Sequence, residues 1–339
     1  MPRMRLSVTP IELPLVHPFK IARGEESVAR TAIVRVRADV REGIGEAAPI
    51  ERYGESVESV AAYFASHPLA ADDPYRLEAL LHSEIPPAAR AGLDLALHDL
   101  IGKDVGKPLY ELLGLDPAAT PTTSFTIGIA DPELTLRKVT EAGDHPILKV
   151  KLGIGTPAHQ IETIAAIRAR YRGVLRIDAN EGWDVETAVQ ILRELHRYEI
   201  ELCEQPVPAG HPEQLRAVHE RVSIPIVADE DALVANDLPR LIGCVDGVNV
   251  KLAKAGGIRG AVAMIHTARA MGLRVMIGCM VESAIAATAA AHLSPLADWA
   301  DIDGPFLIAD DRFDGVRYEG GKLVLPDAPG LGVREAAHA

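Results

Sequence analysis

Cysteine is scarce in this chain: Cys203, Cys244 and Cys279 are three scattered thiols among 339 residues, none in a CxxC spacing. They fit a reducing cytoplasm and single packing roles, and none is a convincing nucleophile. Positive charge is also in deficit. The formal net charge of -13 argues against nucleic acid, which would need a basic patch. No run of about 18 apolar residues appears, so no membrane span is expected. The start, "MPRMRLSVTPIELPL", has neither the apolar core nor the cleavage site of a signal peptide. The twelve histidines show no metal-binding spacing. With these classes set aside, 48% hydrophobic and 24% charged residues describe a globular, enzyme-sized chain able to bury a large core. Its length exceeds one ordinary domain and predicts two domains, or one large barrel with additions.

The first hundred residues and the rest differ in pattern. "MRLSVTPIEL" and "TAIVRVRADV" alternate as strands do, and with the turn-rich "REGIGEAAPI" they predict a small antiparallel meander. Segments from about 57 to 114 have helical spacing, so the opening region is α+β. After Pro121 the pattern becomes strand then helix, repeated about every 25 residues. Eight strand candidates follow: "TSFTIGI", "ILKVKLG", "VLRIDAN", "IELCEQP", "IPIVADE", "GVNVKLA", "LRVMIGC" and "WADIDGP". That is the repeat of a parallel (β/α)8 barrel whose last unit is degenerate. The tail "VRYEGGKLVLPDAPGLG" returns to a hairpin pattern that can pair back onto the first region.

Charges fall where these strands end. In "ILKVKLG" the two lysines, Lys149 and Lys151, are two apart and therefore point the same way. The next three strands end in Asp178, Glu204 and Asp229, the sixth in Lys251, and the eighth in Asp301 and Asp303. In a βα barrel the active site is built at those C-terminal ends. Three carboxylates cannot share a space unneutralised, and a hard cation such as Mg2+ with oxygen ligands resolves the conflict. A lysine beside another lysine has its pKa lowered toward a value useful for a general base. Bases facing each other across a metal-bound substrate describe a racemase or epimerase.

The motifs "LKVKLG", "RIDANEGW", "CEQP", "VADED" and "NVKLAKAGGI" resemble the enolase superfamily, in particular its muconate-lactonizing subgroup. The pairing of a Lys base with Mg2+ and an enediolate is a known property of that superfamily. The resemblance covers almost the whole chain and implies a modified TIM barrel of (β/α)7β type with an α+β capping domain. It assigns residues 1–118 to the cap, 119–308 to the barrel, and 309–339 to a segment returning to the cap. It further implies Mg2+ on Asp178, Glu204 and Asp229, and Lys151 with Lys251 as the acid/base pair. Lys149 would tune Lys151 and help hold the enolate. The DxD of Asp301 and Asp303 looks like that of dipeptide epimerases, where it holds the substrate's free α-ammonium. "PFKIARGEESVAR" and "ERYGES" resemble the loops that close over the site in L-Ala-D/L-Glu epimerases.

The expectation is therefore a cytoplasmic Mg2+-dependent dipeptide epimerase acting on a small molecule, with a homo-oligomer permitted by Ala-rich outer helices. The alternative is an N-acylamino acid racemase or o-succinylbenzoate synthase-type activity, with cycloisomerisation third. A catalytically silent binder on the same scaffold would not need opposed lysines. Glu230 is expected to support a neighbouring lysine by hydrogen bonding rather than to bind metal. Asn180 and Asn249 serve either to support the ligands or as loop-turn residues. Arg23 would suit a clamp on an acidic substrate side chain, against the default of a surface arginine. Glu282, in "GCMVES", is either a substrate contact or structural, and Lys254 is expected to be exposed.

Overall fold

The structure, a computed structural model, describes residues 4–337. Residues 1–3 and 338–339 of the expected capping segments lie outside the described residues. The chain opens with β1 (Arg5–Ile21), β2 (Gly24–Ala38) and β3 (Arg41–Ala47), an antiparallel sheet in sequence order. The segment "REGIGEAAPI", expected as turn-rich, therefore supplies a third strand. Its glycines have a packing reason: a Cβ at Gly43 or Gly45 would collide with backbone carbonyls of the helix Pro87–Val105. That helix lies across the sheet, and Val34, Val36, Leu93, Leu97 and their neighbours form a core of their own.

The second region is an eight-stranded parallel sheet, each strand bonded to the next in chain order. Its strands are β4 (Phe125–Ile127), β5 (Ile147–Lys151), β6 (Val174–Asp178), β7 (Ile200–Glu204), β8 (Ile226–Ala228), β9 (Gly247–Lys251), β10 (Arg274–Gly278) and β11 (Trp299–Asp301). A parallel bridge from Thr123 to Ala300 joins the first strand region to the last, closing the barrel. Helices Pro132–Glu141, Pro157–Arg168, Val185–Leu195, Pro212–His219, Ile258–Ala270 and Ala284–Leu293 cover it. After β8 there is only a 3-10 segment, Ala235–Leu241, and after β11 a single turn, Gly304–Leu307. This is the expected modified barrel with its degenerate last unit.

Strands covered on both faces are near-continuously apolar, and outward residues such as Leu148, Val150, Leu175 and Ile177 join one large core with the helices. Inside the barrel a small apolar plug of Leu202, Val227, Met276 and Trp299 fills the floor. Leu202, Met276 and Trp299 lie two positions before the last residue of their strands, and Val227 two before Asp229. The plug therefore sits one layer below the charged groups. The tail forms the hairpin Arg317–Glu319 with Lys322–Val324. It then meets the first region, where Leu331 N donates to Asp99 Oδ1 at 2.8 Å and Leu109 N to Gly330 O at 2.9 Å. Among the described residues no helix is long and apolar enough to cross a membrane.

Candidate active site

Register puts the strand ends at one level: Lys151 pairs across from Asp178, Asp178 from Glu204, and Gly278 from both Lys251 and Asp301. Parallel strands in register carry inward-facing ends to a common rim, so side chains from distant parts of the sequence meet there. Lys149 is 1% exposed, and its ammonium lies 2.5 Å from Glu204, 2.6 Å from Asp301 and 3.2 Å from Asp178. Lys151 Nζ donates to Asp178 Oδ2 at 2.6 Å, and Lys251 Nζ to Asp229 Oδ2 at 2.8 Å. Lys149 and Lys151, two apart on one strand, thus both point into a buried carboxylate cluster. Lys151 stands on the Asp178 side and Lys251 on the Asp229 side.

The electrostatics follow from burial. Glu204 is fully buried and pushed up to about 7, first by desolvation and then by Asp178, with Lys149 opposing and Asp229 adding to the rise. Asp178 and Asp229 lie below the usual carboxylate range. Burial opposes this, but Lys151 with Lys149 act on the first and Lys251 with Lys254 on the second. The expected lowering of the lysines is not found for Lys149 and Lys251. Desolvation favours it, yet Asp301 and Glu204 for Lys149, and Asp229 and Glu204 for Lys251, hold both well above the usual value. Ammonium–carboxylate contact outweighs lysine–lysine repulsion at these distances.

As the side chains stand, no group of three or more His, Cys, Asp or Glu among the described residues is drawn close enough to hold a metal. The reason is visible in the ion pairs: lysine ammoniums sit among the three acids and neutralise them. The donor set nevertheless suits Mg2+. It is three buried carboxylates on adjacent strands, with Glu204 driven toward neutrality by burial and then by the other two, and Glu204 Oε2 is met by the Lys149 ammonium rather than by a backbone donor. Asn249 Nδ2 donates to Glu204 Oε1 at 2.8 Å and so orients that acid. The Asn180 backbone N–H donates to Asp178 Oδ1 at 2.8 Å.

Asp301 Oδ1 accepts from Ser124 Oγ at 2.5 Å, while its Oδ2 faces Lys149. Asp303 Oδ2 accepts from the Thr126 N–H at 2.6 Å. The two acids differ sharply. Burial opposes it, but Lys149 holds Asp301 far below its ordinary value, whereas burial and Asp301 push Asp303 up to about 6. Ser124 and Thr126 are partners the sequence reading missed. They follow from β4 lying beside β11 across the barrel seam, a long-range fact with no local signal.

Above the rim, the turn between β1 and β2 and the 3-10 turn Glu51–Tyr53 lean in from the first region. The Phe19 ring centroid lies 6.0 Å from Lys151 Nζ. Arg23, considered as a substrate clamp, bonds Glu230 Oε1 at 2.7 Å and Glu181 Oε2 at 3.0 Å. Glu230 therefore serves an arginine and, through Asn180 Nδ2 at 3.5 Å, an amide; the expected lysine partner is not the one it has. Glu282 is 2% exposed and pushed well above its usual value by burial and by Glu46. Lys254, expected to be exposed, is 4% exposed and donates to the carbonyls of Asp229, Ala232 and Asn249 as well as to Asp229 Oδ1. The short helix Leu252–Ala255, ended by Gly256 and Gly257 at φ 78° and 102°, turns it back into the wall. The double glycine after "KLAK" was the available signal.

Residues 133–337 match the family described as enolase C-terminal domain-like. Residues 4–114 match the mandelate racemase / muconate lactonizing enzyme N-terminal domain. This chain belongs to the enolase superfamily. Among similar proteins is the L-Ala-D/L-Glu epimerase of Bacteroides thetaiotaomicron, 39% identical over 98% of this chain and 88% of that protein. An L-Ala-D/L-amino acid epimerase of Maribacter is 34% identical over 97% and 99%. Among solved structures, a substrate-liganded L-Ala-D/L-Glu epimerase of Bacillus subtilis superposes with TM-score 0.92 at 32% identity over 100% of both chains. The dipeptide epimerase of Cytophaga hutchinsonii, complexed with Mg and D-Ala-L-Val, has TM-score 0.89 at 30% identity over 99% of this chain and 96% of that one. Within the superfamily, backbone likeness does not discriminate. An N-succinyl Arg/Lys racemase of Bacillus cereus also has TM-score 0.92, at 27% identity over 99% and 96%.

Proposed function

We propose that this enolase-superfamily chain is a Mg2+-dependent dipeptide epimerase, inverting the α-carbon of the dipeptide's C-terminal residue. The observation that carries this reading is the placement of Lys151 and Lys251 against different members of one buried acid set, with the Asp301/Asp303 pair on the last strand. Asp178, Glu204 and Asp229 would hold the metal. Bound there with the substrate carboxylate, Mg2+ would supply the positive charge that stabilises the anion formed when the α-proton leaves. The chain's own residues do the rest. A lysine whose carboxylate partner is engaged elsewhere is left buried beside other ammoniums, which favours its neutral, basic form. Lys151 then takes the proton from one face while Lys251 delivers one to the other. Lys149, at the centre of the acids, adds charge next to the developing anion.

Asp301 and Asp303 would receive the dipeptide's free ammonium, and the turns carrying Phe19, Arg23 and Tyr53 would exclude water from above. This assigns residues 1–118 and 309–339 to a cap and 119–308 to the catalytic barrel. The identities to named dipeptide epimerases support the same reading over the N-acylamino acid racemase alternative. An N-acyl substrate has no ammonium to offer the two acids.

The test is proton exchange. A dipeptide library incubated with enzyme and Mg2+ in D2O should gain one mass unit at the C-terminal α-carbon and racemise there. Lys251→Ala should stop epimerisation by at least about a thousandfold, while Lys151 still exchanges deuterium into one epimer only. Equal exchange from both epimers in that variant contradicts the two-base scheme. Turnover of N-succinylamino acids in preference to every free dipeptide would install the racemase reading instead.

A further inference from the structure

We propose that Glu181 is a positioning residue, the barrel-side clasp that fixes both overhanging turns above the mouth. It lies three residues beyond Asp178, with a side chain 8% exposed, and every acceptor position on it is used. Oε1 accepts from the Ala209 N–H at 2.8 Å and from Arg52 Nη2 at 2.9 Å. Oε2 accepts from Arg52 Nε at 3.1 Å and from Arg23 Nη1 at 3.0 Å. One carboxylate thus ties the loop after β7, the β1–β2 turn and the 3-10 turn Glu51–Tyr53 to the loop after β6.

The Arg52 contact is a two-pronged fork, the geometry in which guanidinium and carboxylate bind most specifically. An exposed arginine pair is worth little by itself. Here the acid's side chain is buried, and lifting both turns would strip it of three of its four donors, leaving only the Ala209 N–H beside a poorly solvated charge. The backbone is committed to this arrangement. Asn180 and Glu181 stand at φ 44° and 70°, a left-handed conformation unusual for two consecutive non-glycine residues, with the Glu181 N–H bonded to Gln205 O at 2.9 Å. That strain turns the Glu181 side chain outward, away from the metal acids and toward the two arginines. Glu181 therefore does no chemistry. It decides how long the mouth stays covered.

The test reads the turns directly, by hydrogen–deuterium exchange of the full-length protein without substrate. Glu181→Gln should speed exchange about tenfold in peptides covering residues 19–24 and 51–54, with barrel peptides and Tm unchanged. Arg52→Gln should loosen 51–54, and the double variant should be no looser there than Glu181→Gln alone, because both changes break one clasp. Unaltered exchange in both turns, or additive effects, would overturn the proposal. Should Glu181→Gln not fold, Arg52→Gln decides it alone: faster exchange at 51–54 upholds the clasp and wild-type rates refute it. A kinetic arm, which rests on the epimerase reading, predicts KM about tenfold higher with kcat within about twofold. Loss of kcat at unchanged KM would make Glu181 part of the chemistry and refute a positioning role. Absence of dipeptide turnover in the wild type would defeat the epimerase reading and leave the exchange result standing.

Discussion

Two sets of acids are buried in this molecule, and they are satisfied in different ways. Where the first region meets the returning tail, Asp99 accepts from the Ile44 and Leu331 N–H groups, each at 2.8 Å, and from Lys103 at 2.6 Å; the next two acids join that region to the barrel. Glu46 accepts from the Ser283 and Ala286 N–H groups and from Ser283 Oγ, covering the start of the helix Ala284–Leu293. Asp94 does the same for Arg259 N, at 2.9 Å, in the helix Ile258–Ala270. At the barrel mouth, Glu204 and Glu230 receive no backbone N–H: Glu204 is met by Lys149 at 2.5 Å and by Asn249 Nδ2 at 2.8 Å, and Glu230 by Arg23 at 2.7 Å. Acids held by backbone donors fasten two layers together. Acids at the mouth are faced by side-chain cations, as Asp178 is by Lys151 beside its Asn180 N–H, and can exchange those cations for a metal. That difference separates a joint from a site.

The contrast is broken most severely at Asp99. Asp99→Ala leaves two buried N–H groups unpaired and takes from Lys103 its carboxylate partner, and should cost about 3 kcal/mol in urea unfolding. A loss below about 0.5 kcal/mol would mean that the interface acids are not the fastening they resemble. Glu204→Gln should act in the opposite direction. Glu204 titrates at about 7 in the fold against an ordinary 4.5. The folded state therefore binds that proton more tightly, and stability falls as pH rises from 4.5 through 7. In metal-free protein, Gln removes this penalty, so Tm should exceed the wild type at pH 8 and the gap should close toward pH 4.5. Identical Tm–pH curves would contradict the burial argument. Asp303→Asn has the smallest expected effect, KM for a free dipeptide rising about tenfold with exchange chemistry retained. N-acetylation of the substrate should hurt the wild-type enzyme similarly.

How far the sequence carried the account depends on the range of the interactions. The barrel and its charged rim were legible because strand alternation and the βα repeat are local, and register then brings strand ends together without further information. Asp178, Glu204, Asp229 and the three lysines could be picked out for that reason. The joint was not legible: Asp99 and Glu46 find their donors 232 and 237 residues away. Arg23 and Arg52 likewise look like surface residues until the two turns are seen over the mouth. Lys254 was misread because a charged residue on a short helix is ordinarily solvated, and only the double-glycine turn buries it. The lowering expected of a lysine beside a lysine is not found at Lys149 for another reason. Like-charge spacing along one strand is local, but the carboxylates that reverse the shift come from other strands.

Metal binding read by protein stability tests the central claim most directly, because it needs no knowledge of the substrate. If the mouth acids exchange ammonium partners for Mg2+, wild-type Tm should rise roughly 4 °C at Mg2+ a hundredfold above its Kd, and chelator should reverse it. Asp229→Asn should lose that rise, while Asp99→Ala, though less stable, should keep it. A wild-type Tm indifferent to Mg2+, with full epimerase activity in excess chelator, would contradict the account.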